Sequence, residues 1–469
     1  MSLTNRVGLL AGLATLTLAG VGFAGSDESN TAALEKQIDL LRQELDQVKA
    51  QQGDAWLTEQ RAAEIRSLVQ DVLADADTRA SLQASGMTAG WDKGFFLASP
   101  DGNFRLRIKG QIQVRYMLND RDNPTVGTGT TSGFELPRVK LKFLGNIFDK
   151  SWTYKVQGNF SQNNFGAVDG DIEVPDPLDP TMSIMVPFSA GVTGSSGRFV
   201  LEDAYIQKDF DNGFYIRGGQ FKVPYTREEL VSSTTQLLIE RSTVNRVFGS
   251  GRSQGIEGGW QGDWLRFMVT YNDGDHGANT SFDDPNFNLV DWSFAGRAEF
   301  KLAGDWAQFD DMNSWNGDPF GVLIGVAGKG YRRDDGTKVY GATADASIDF
   351  GGANLFGYFV WQRTEPDGGE ESDAIAFVVQ GGIFVIPDKL EPYGRFEWAD
   401  SDIDGDSDLA NLFAGVNWYF SRQAKLSTDF GYAFNEITAT WTNPQAGWLL
   451  DGPDDDGQWV WRTQFQLLF

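Results

Sequence analysis

Hydrophobic and polar positions alternate along most of this chain, from Asn103 to Phe469, in about sixteen segments of roughly 8 to 14 residues. In FRLRIKGQIQVRY, residues 104–116, every second residue is apolar or glycine, and the others are arginine, lysine or glutamine. A period of two places the two kinds of residue on opposite faces of a β-strand. The pattern therefore predicts an all-β fold whose antiparallel strands each have one apolar face.

The connections between these segments favour a transmembrane antiparallel β-barrel of about 16 strands over a soluble sandwich. Long polar connections, as at 119–133 and 163–198, alternate with tight turns, as at Asp211–Gly213. Outer-membrane barrels have long loops on one side and short turns on the other, and a closed barrel pairs every backbone group, as lipid requires. One connection, Ala303–Pro319, falls on the short side and yet is long.

The residues before position 95 follow other patterns. Arg6 precedes the apolar run Val7–Ala24, which predicts a cleaved export signal over residues 1–25. Residues 26–94 predict an α-helical, coiled-coil segment in the periplasm, although a lone amphipathic helix is an alternative because the repeat covers only about two heptads. The barrel domain is then 95–469. The repeat consists of Leu34, Ile38, Leu41, Leu45 and Val48.

Composition excludes several classes of protein. The mean hydropathy is -0.33, and no internal run approaches the ~20 apolar residues that a spanning helix needs, which excludes a helical membrane protein. The chain has no cysteine, so it forms no disulfide. Its single histidine, His276, lies in a predicted loop beside Asp273 and Asp275. We therefore expect no enzyme, no cofactor and no transition-metal site.

The net charge is -26, yet the polar face of the first strands is strongly basic. An Arg or Lys on the lipid face costs ~2 to 4 kcal/mol at the midplane, so these side chains should line the pore and attract anions. An alternative is that they only hydrate the channel and pair with carboxylates across it. The candidate pore-lining residues are Arg105, Arg107, Lys109, Arg115, Arg138, Lys140, Lys142 and Lys155.

The acidic residues gather instead in predicted external loops, such as 400–408 and 451–456. They read as a solvated surface, and divalent cation binding is the alternative. Asp400, Asp402 and Asp404 match the opening of a calcium-binding loop, but Asn411 occupies the twelfth position, where a bidentate Glu is expected. We therefore expect no metal site there. Such loops would repel anions near the mouth of the pore.

GQFKVPYTREELVSSTTQLLIERS, from Gly219 to Ser242, resembles the most characteristic stretch of the phosphate-selective porin O and P family. LEDAYIQ at Leu201–Gln207 and LEPYGRFEWAD at Leu390–Asp400 support the resemblance, which covers most of residues 95–469. It implies a sixteen-stranded, usually trimeric outer-membrane barrel whose third external loop folds inward and narrows the pore.

In this chain the third external loop is predicted at Pro224–Gln254. Arg217 and Lys222, on the preceding strand, have opposite parity, so both face the pore only if Gly218 and Gly219 host a bulge. The constriction candidates are Arg227, Glu228, Glu229, Arg241, Arg246 and Arg252. Phe465 and Phe469 resemble the C-terminal signal by which such barrels are recognised for assembly.

These patterns together predict a porin of the bacterial outer membrane, a passive diffusion channel for small hydrophilic solutes that prefers phosphate or other inorganic anions. Two alternatives remain open: a general or cation-preferring porin, and a structural barrel that anchors the envelope through its coiled coil. The expected partners are outer-membrane lipid, further copies of the chain in a homotrimer, small anions and, for the N-terminal segment, the cell wall. No nucleic acid is expected.

Overall fold

The structure is a computed structural model of the 469-residue chain. It describes residues 36, 38–44, 46, 47, 67 and 86–469, apart from 123, 125–127, 162–166, 176–182, 192–198, 283–289, 403–406 and 453–456. The chain forms two compact units, Met1–Ser85 and Gly86–Phe469.

In the first unit, residues 38–44 are helical, and the apolar side chains of Ile38 and Leu41 are exposed. The remaining positions of the predicted repeat, Leu34, Leu45 and Val48, lie outside the described residues, as does the signal segment 1–25. The coiled coil and the export signal therefore stay predictions.

The second unit is a barrel with two added hairpins. One hairpin, β1 (Thr88–Trp91) and β2 (Phe95–Ala98), precedes the barrel, and the other, β6 (Ala167–Pro175) and β7 (Ser183–Gly191), lies in a connection. The barrel strands are β3 (Arg105–Asp120), β4 (Thr130–Asn146), β5 (Trp152–Asn159), β8 (Val200–Asp209), β9 (Phe214–Lys222), β10 (Arg252–Gln261), β11 (Leu265–Asn272), β12 (Val290–Ala303), β13 (Gly321–Arg333), β14 (Lys338–Asp349), β15 (Ala353–Glu365), β16 (Ser372–Ile383), β17 (Leu390–Ser401), β18 (Ser407–Ser421), β19 (Ala424–Ala433) and β20 (Trp459–Leu468).

Within the part of the chain that the structure describes, these sixteen strands pair antiparallel in order, and β20 pairs with β3, so the sheet closes. At the closure the backbones of Gly110 and Phe469 exchange two hydrogen bonds, with N···O distances of 2.6 and 3.1 Å. For the first residues of β3, 105–108, the partner is β2 and not β20, with Phe95 opposite Ile108 and Ala98 opposite Arg105. The predicted barrel is confirmed, and residues 86–94 belong to its unit although we predicted them with the helical segment.

The outer face of the barrel is apolar and the inner face is polar, as the alternation predicts. On β3, Ile112 and Val114 are 36% and 39% exposed, whereas the intervening Gln111 and Gln113 are 0% and 1% exposed. Apolar side chains such as Phe359 and Val379 are exposed on the other side of the barrel too. Lipid is the solvent that this outer surface matches.

The connections differ between the two ends of the barrel. At one end, the loop end, lie the connections after β3, β5, β9, β11 and β19, and they are mostly long. The other end, the turn end, has tight turns at 147–151, 210–213 and 262–264. No helix among the described residues is long and apolar enough to cross a membrane.

Three connections fold into the barrel. The inner loop, residues 223–251, contains α1 (Arg227–Leu230) and α2 (Thr243–Phe248), and the turn-end insert, residues 304–320, contains a 3-10 helix, Trp306–Asp310. The last loop, described over residues 434–452 and 457–458, enters from the loop end. The insert is the long connection that interrupted the short turns in the sequence, and its length is explained because it reaches inward to the inner loop.

These three connections bury an apolar core inside the barrel, against β15 to β20. Phe248 of the inner loop and Trp441 of the last loop are both fully buried, with ring centroids 6.1 Å apart. The amide of Met312 in the insert donates to the carbonyl of Thr235 in the inner loop at 3.0 Å. Strand β15 provides Phe356 and Val360 to the same core. That half of the lumen is therefore packed protein and not open channel.

Replacement of Phe248 by alanine tests this packing. Removal of a buried phenylalanine side chain costs about 3 to 5 kcal/mol, because it leaves a cavity. We expect amide hydrogen exchange in residues 223–251, followed by mass spectrometry, to become faster by roughly two orders of magnitude. Phe282→Ala, at a ring that is 90% exposed, is the matched control and should leave the exchange unchanged. Equal exchange in the two variants would contradict the packed core.

Candidate conduction pathway

The inner loop is held in place by cations and amides of the barrel wall that donate to its backbone carbonyls. Lys329 reaches Phe248 O at 2.9 Å, Lys425 reaches Gln236 O at 2.9 Å, and Arg395 reaches Glu240 O at 2.8 Å. Only short parts of the inner loop are helical, so most of its carbonyls lack partners within the loop, and buried carbonyls need partners. Basic residues on β13, β17 and β19 thus hold the inner loop in place, which the alternation of polar and apolar residues in the sequence does not reveal.

Glu240 is a charged anchor of the inner loop. Its carboxylate accepts from Arg115 at 3.0 Å and from Arg138 Nη1 at 2.9 Å, and it is 5% exposed. Burial acts to raise the pKa of Glu240, but the guanidinium groups of Arg138 and Arg115 outweigh it and hold that pKa well below its usual range. The inner loop is thereby fixed to β3 and β4 by ionised groups.

The inner loop contacts β3 and β4 and then the wall from β12 round to β20, which leaves a gap beside β5, β8 and β10. A cavity of about 300 Å³ lies on the loop-end side of this gap, and one of about 100 Å³ lies below it. Arg241 and Arg252 line both cavities, so they mark the passage from one to the next. A third cavity of about 320 Å³ follows toward the turn end and shares Lys155 with the second.

Basic side chains lie along this gap in successive rows of the barrel wall. Arg138, Lys140 and Lys142 occupy alternate positions of β4, and register places Lys109 opposite Lys142. One row further toward the turn end, Arg107 and Lys155 flank Leu144. Positions two residues apart on a strand are separated by about 7 Å. We call this set the basic ladder: Arg138, Lys140, Lys142, Lys109, Lys155, Arg107 and Arg105.

Carboxylates neutralise only part of this charge. Lys140 pairs with Glu202 and Lys155 pairs with Asp203, each at 2.7 Å. Arg252 also contacts Asp203, at 2.8 Å. Lys142 has no ion pair with any described residue. The cations that line the first two cavities are Arg138, Lys140, Lys142, Lys155, Lys222, Arg241, Arg246 and Arg252, and the carboxylates are Asp203, Glu229 and Glu240.

Three predicted site residues are anchors and do not line the opening. Arg115 has no exposed surface, because it lies under the inner loop. Arg227 is 3% exposed and donates to Ser347 and to the carbonyl of Phe309, and Glu228 is fully buried beside Tyr358. The assignment of Arg115 to the pore surface is wrong, since a loop folded into the lumen covers side chains that strand parity leaves open. Arg227 and Glu228 belong to that loop, but their side chains are buried against the barrel wall and do not border the opening.

The other predicted pore-lining and constriction residues lie along the pathway. Glu229, Arg241, Arg246 and Arg252 line the first cavity, and their role as a constriction stays a prediction. Arg105 and Arg107 line the third cavity. Phe465 and Phe469 lie on the outer face, 41% and 38% exposed; their role in assembly stays a prediction.

Lys222 is a pathway residue that our candidate set omitted. Its ammonium group donates to Glu229 O at 2.6 Å, while Arg217, of opposite parity, contacts Glu257 at 2.9 Å inside the barrel. Both reach the lumen because Gly219 between them has a φ of +131°, which only glycine adopts readily. The register shows no extra residue there. The sequence pointed to the two adjacent glycines as the condition for both side chains to face the pore, but the means is the positive φ of Gly219 and not a bulge.

Comparison with known proteins gives a family and a fold. The family model described as phosphate-selective porin O and P matches residues 106–446. The curated proteins gave no match. The anion-selective porin from Comamonas acidovorans is 14% identical, with a TM-score of 0.53, over 78% of this chain and 99% of that chain. OmpF of Salmonella typhi, solved with daunomycin, is 14% identical with a TM-score of 0.49, over 81% and 100%. The likeness to the Comamonas porin shows a shared fold.

Neutralisation of Glu240 should loosen the inner loop. Glu240→Gln keeps the shape but leaves Arg115 and Arg138 without their shared counter-charge, and loss of one partner of a buried pair costs about 3 to 5 kcal/mol. We expect larger current fluctuations in single-channel recordings. Glu365→Gln breaks an exposed pair with Lys338 at the loop end and is the matched control. Equal noise in both variants would show that Glu240 does not hold the loop.

The dependence of this noise on pH has a defined direction. Burial acts to raise the pKa of Glu229, but Arg241 and Lys222 outweigh it and lower that pKa from 4.5 to about 2. A depressed carboxyl pKa stabilises the fold fully above the unfolded value, and the stabilisation is lost as pH falls through the folded value. Recordings of the unmodified protein should stay quiet from pH 7 to pH 5 and become noisy only toward pH 2. A rise in noise already complete at pH 4 would contradict this assignment.

Proposed function

This chain belongs to the phosphate-selective porin O and P family, and we propose that its pore prefers small anions to cations. The family and the closed barrel make it an outer-membrane porin, a passive channel for small hydrophilic solutes. The proposal concerns selectivity, and it rests on the charges that line the gap between the inner loop and the wall.

The observation that supports the proposal is the excess of cations at the narrow part of the pathway. Eight cationic side chains and three carboxylates line the first two cavities among the described residues. Glu202 lies behind them and pairs with Lys140, which still leaves a positive balance. Low-dielectric walls strengthen such a field at a constriction, and a positive field raises the local concentration of anions.

The acidic loops act in the opposite direction, but they act from further away. Charges in solvent are screened beyond a Debye length of about 8 Å at physiological salt. Several are also paired locally, as Asp373 and Glu371 are with Arg363. The cations of the ladder, in contrast, line the path itself. The balance therefore favours anions.

The basic ladder could serve phosphate and chloride alike, since an ammonium group offers a point charge without a fixed geometry. Arg241 and Arg252, at the passage between the first two cavities, carry planar guanidinium groups whose geometry suits phosphate oxygens, and part of their N–H groups already bind Glu229 and Asp203. We propose inorganic phosphate as a solute that this passage retains longer than chloride, which competition between the two anions can test.

Assembly and attachment are further proposals. We propose a homotrimer, as the family resemblance implies, with the loop end facing outward as in other outer-membrane barrels. For the N-terminal segment we propose the cell wall as the partner. The mass of the complex in mild detergent tests the first statement, and release of the envelope by a variant lacking residues 26–85 that still conducts tests the second.

Lys142 gives the sharpest test of selectivity, because it lines the second cavity without an ion pair. Lys142→Gln removes one charge at the narrow part, and a unit charge about 7 Å from an ion in water changes its occupancy roughly threefold. We expect the anion-to-cation permeability ratio, from the reversal potential in a planar bilayer under a salt gradient, to fall by about that factor. Added phosphate should block chloride current less in the variant.

Lys338→Gln, at a half-exposed lysine of the loop end, is the control and should leave the ratio unchanged. A cation-selective potential for the unmodified protein would mean that the acidic loops dominate and that the pore is a cation-preferring one. A barrel that inserts but conducts no current would favour an anchor of the envelope.

A further inference from the structure

The β1–β2 hairpin lies at the turn end of the pathway, and the match to the family model begins only after it, at residue 106. Strand β20 ends opposite Gly110, so residues 105–108 of β3 would be an open edge, and β2 pairs with them instead. The hairpin is therefore part of the barrel rim in this chain.

The tip of the hairpin is fixed on β3 by a close backbone contact. Gly94 has a φ of +140°, and a Cβ there would lie 2.8 Å from the carbonyl oxygen of Ile108. Such an approach leaves no room for a side chain. The neighbouring Asp92 is thereby held above the first residues of β3.

Asp92 contacts the two lowest positions of the basic ladder at once. Its Oδ2 atom accepts from Arg105 Nη2 at 2.6 Å and from Arg107 Nη2 at 2.5 Å. The hydrogen bond from Arg105, with the charges of both arginines, holds the pKa of Asp92 below its ordinary value. The carboxylate is therefore charged at any pH at which the channel would work.

These arginines lie on the route of a permeating ion. Arg107 shares a row of the inner wall with Leu144, Lys155 and Tyr205, and the third cavity is lined by that row and by Arg105. Nearer the middle of the barrel, Lys142 lines the second cavity without an ion pair among the described residues. The positive charge of the ladder is thus least compensated at its middle and reduced at its turn end.

We propose that Asp92 sets the charge of the turn-end mouth: by partly neutralising Arg105 and Arg107 it weakens the hold on anions there, so that an anion leaves the ladder at this end. The inference rests on the proposed anion preference for its consequence, whereas the position of Asp92 does not depend on it. Conduction through a binding pore requires sites weak enough to let the ion leave, and the hairpin makes the last site weak.

The test is the reversal potential of Asp92→Asn in a planar bilayer at 0.1 M and at 1 M salt. One charge removed beside the path should shift the anion-to-cation permeability ratio toward anions by roughly threefold at 0.1 M. The shift should shrink at 1 M, where the Debye length falls from about 10 Å to about 3 Å. Gly94→Val, which moves the tip off β3, should shift the ratio in the same direction.

Two controls separate this role from a general effect of rim charge. Asp101→Asn removes a carboxylate from the neighbouring turn, where it bonds Ser99 and Asn103 and no cation, and it should change the ratio little. The Arg105→Gln, Arg107→Gln double variant removes the charges that Asp92 offsets and should shift the ratio toward cations. An equal shift from Asp101→Asn, a shift toward anions in the double arginine variant, or no shift from Asp92→Asn would overturn the proposal.

The selectivity of the unmodified protein is read separately. If it prefers cations, the proposed anion preference fails, while a shift toward anions by Asp92→Asn would still show that the hairpin sets the charge of the mouth. If the unmodified protein prefers anions and Asp92→Asn has the same anion-to-cation permeability ratio, only the inference about the hairpin fails.

Discussion

The structure depends on one constraint: the carbonyls and carboxylates of the inner loop must find partners inside a barrel. Lys329, Lys425 and Arg395 donate to its backbone, and Glu240 joins it to Arg115 and Arg138. A segment with so little regular structure could not stay in the lumen otherwise, since each unpaired buried polar group costs free energy. Some of the cations that the sequence places in the pore lining therefore hold the inner loop instead.

This division of tasks explains where the channel runs. The turn-end insert and the last loop pack on the inner loop with buried aromatic and aliphatic side chains such as Phe248 and Trp441, which fills the lumen along β15 to β20. Water and ions are left with the strip beside β4, β5 and β8 to β10. Because the basic ladder lies on that strip, a chain with a large negative net charge still presents a positive wall to a permeating solute.

Several parts of the site could be predicted, and the reasons for the misses are physical. Strand parity places Lys140, Lys142 and Lys155 on the inner face, and the structure agrees. Parity does not report what covers an inner face, so Arg115 looked accessible although it lies under the inner loop. Arg227 looked accessible because the sequence places it in that loop but does not report which loop side chains turn toward the wall. Strands β15 and β16 have apolar residues on both faces, which is the pattern of a strand buried on both sides and could have indicated the packed half.

The sequence by itself determined a barrel of about sixteen strands, its apolar outer face and the basic character of the first strands, whereas the inward loop was implied by the family resemblance. The first three follow from local rules, since a period of two assigns faces and lipid forbids charge outside. Only the tertiary structure decided which cations pair, because ion pairs such as Lys155 with Asp203 or Arg138 with Glu240 join residues far apart in the chain. The contact of Asp92 with Arg105 and Arg107 likewise exists only because β20 ends early enough for β2 to pair with β3.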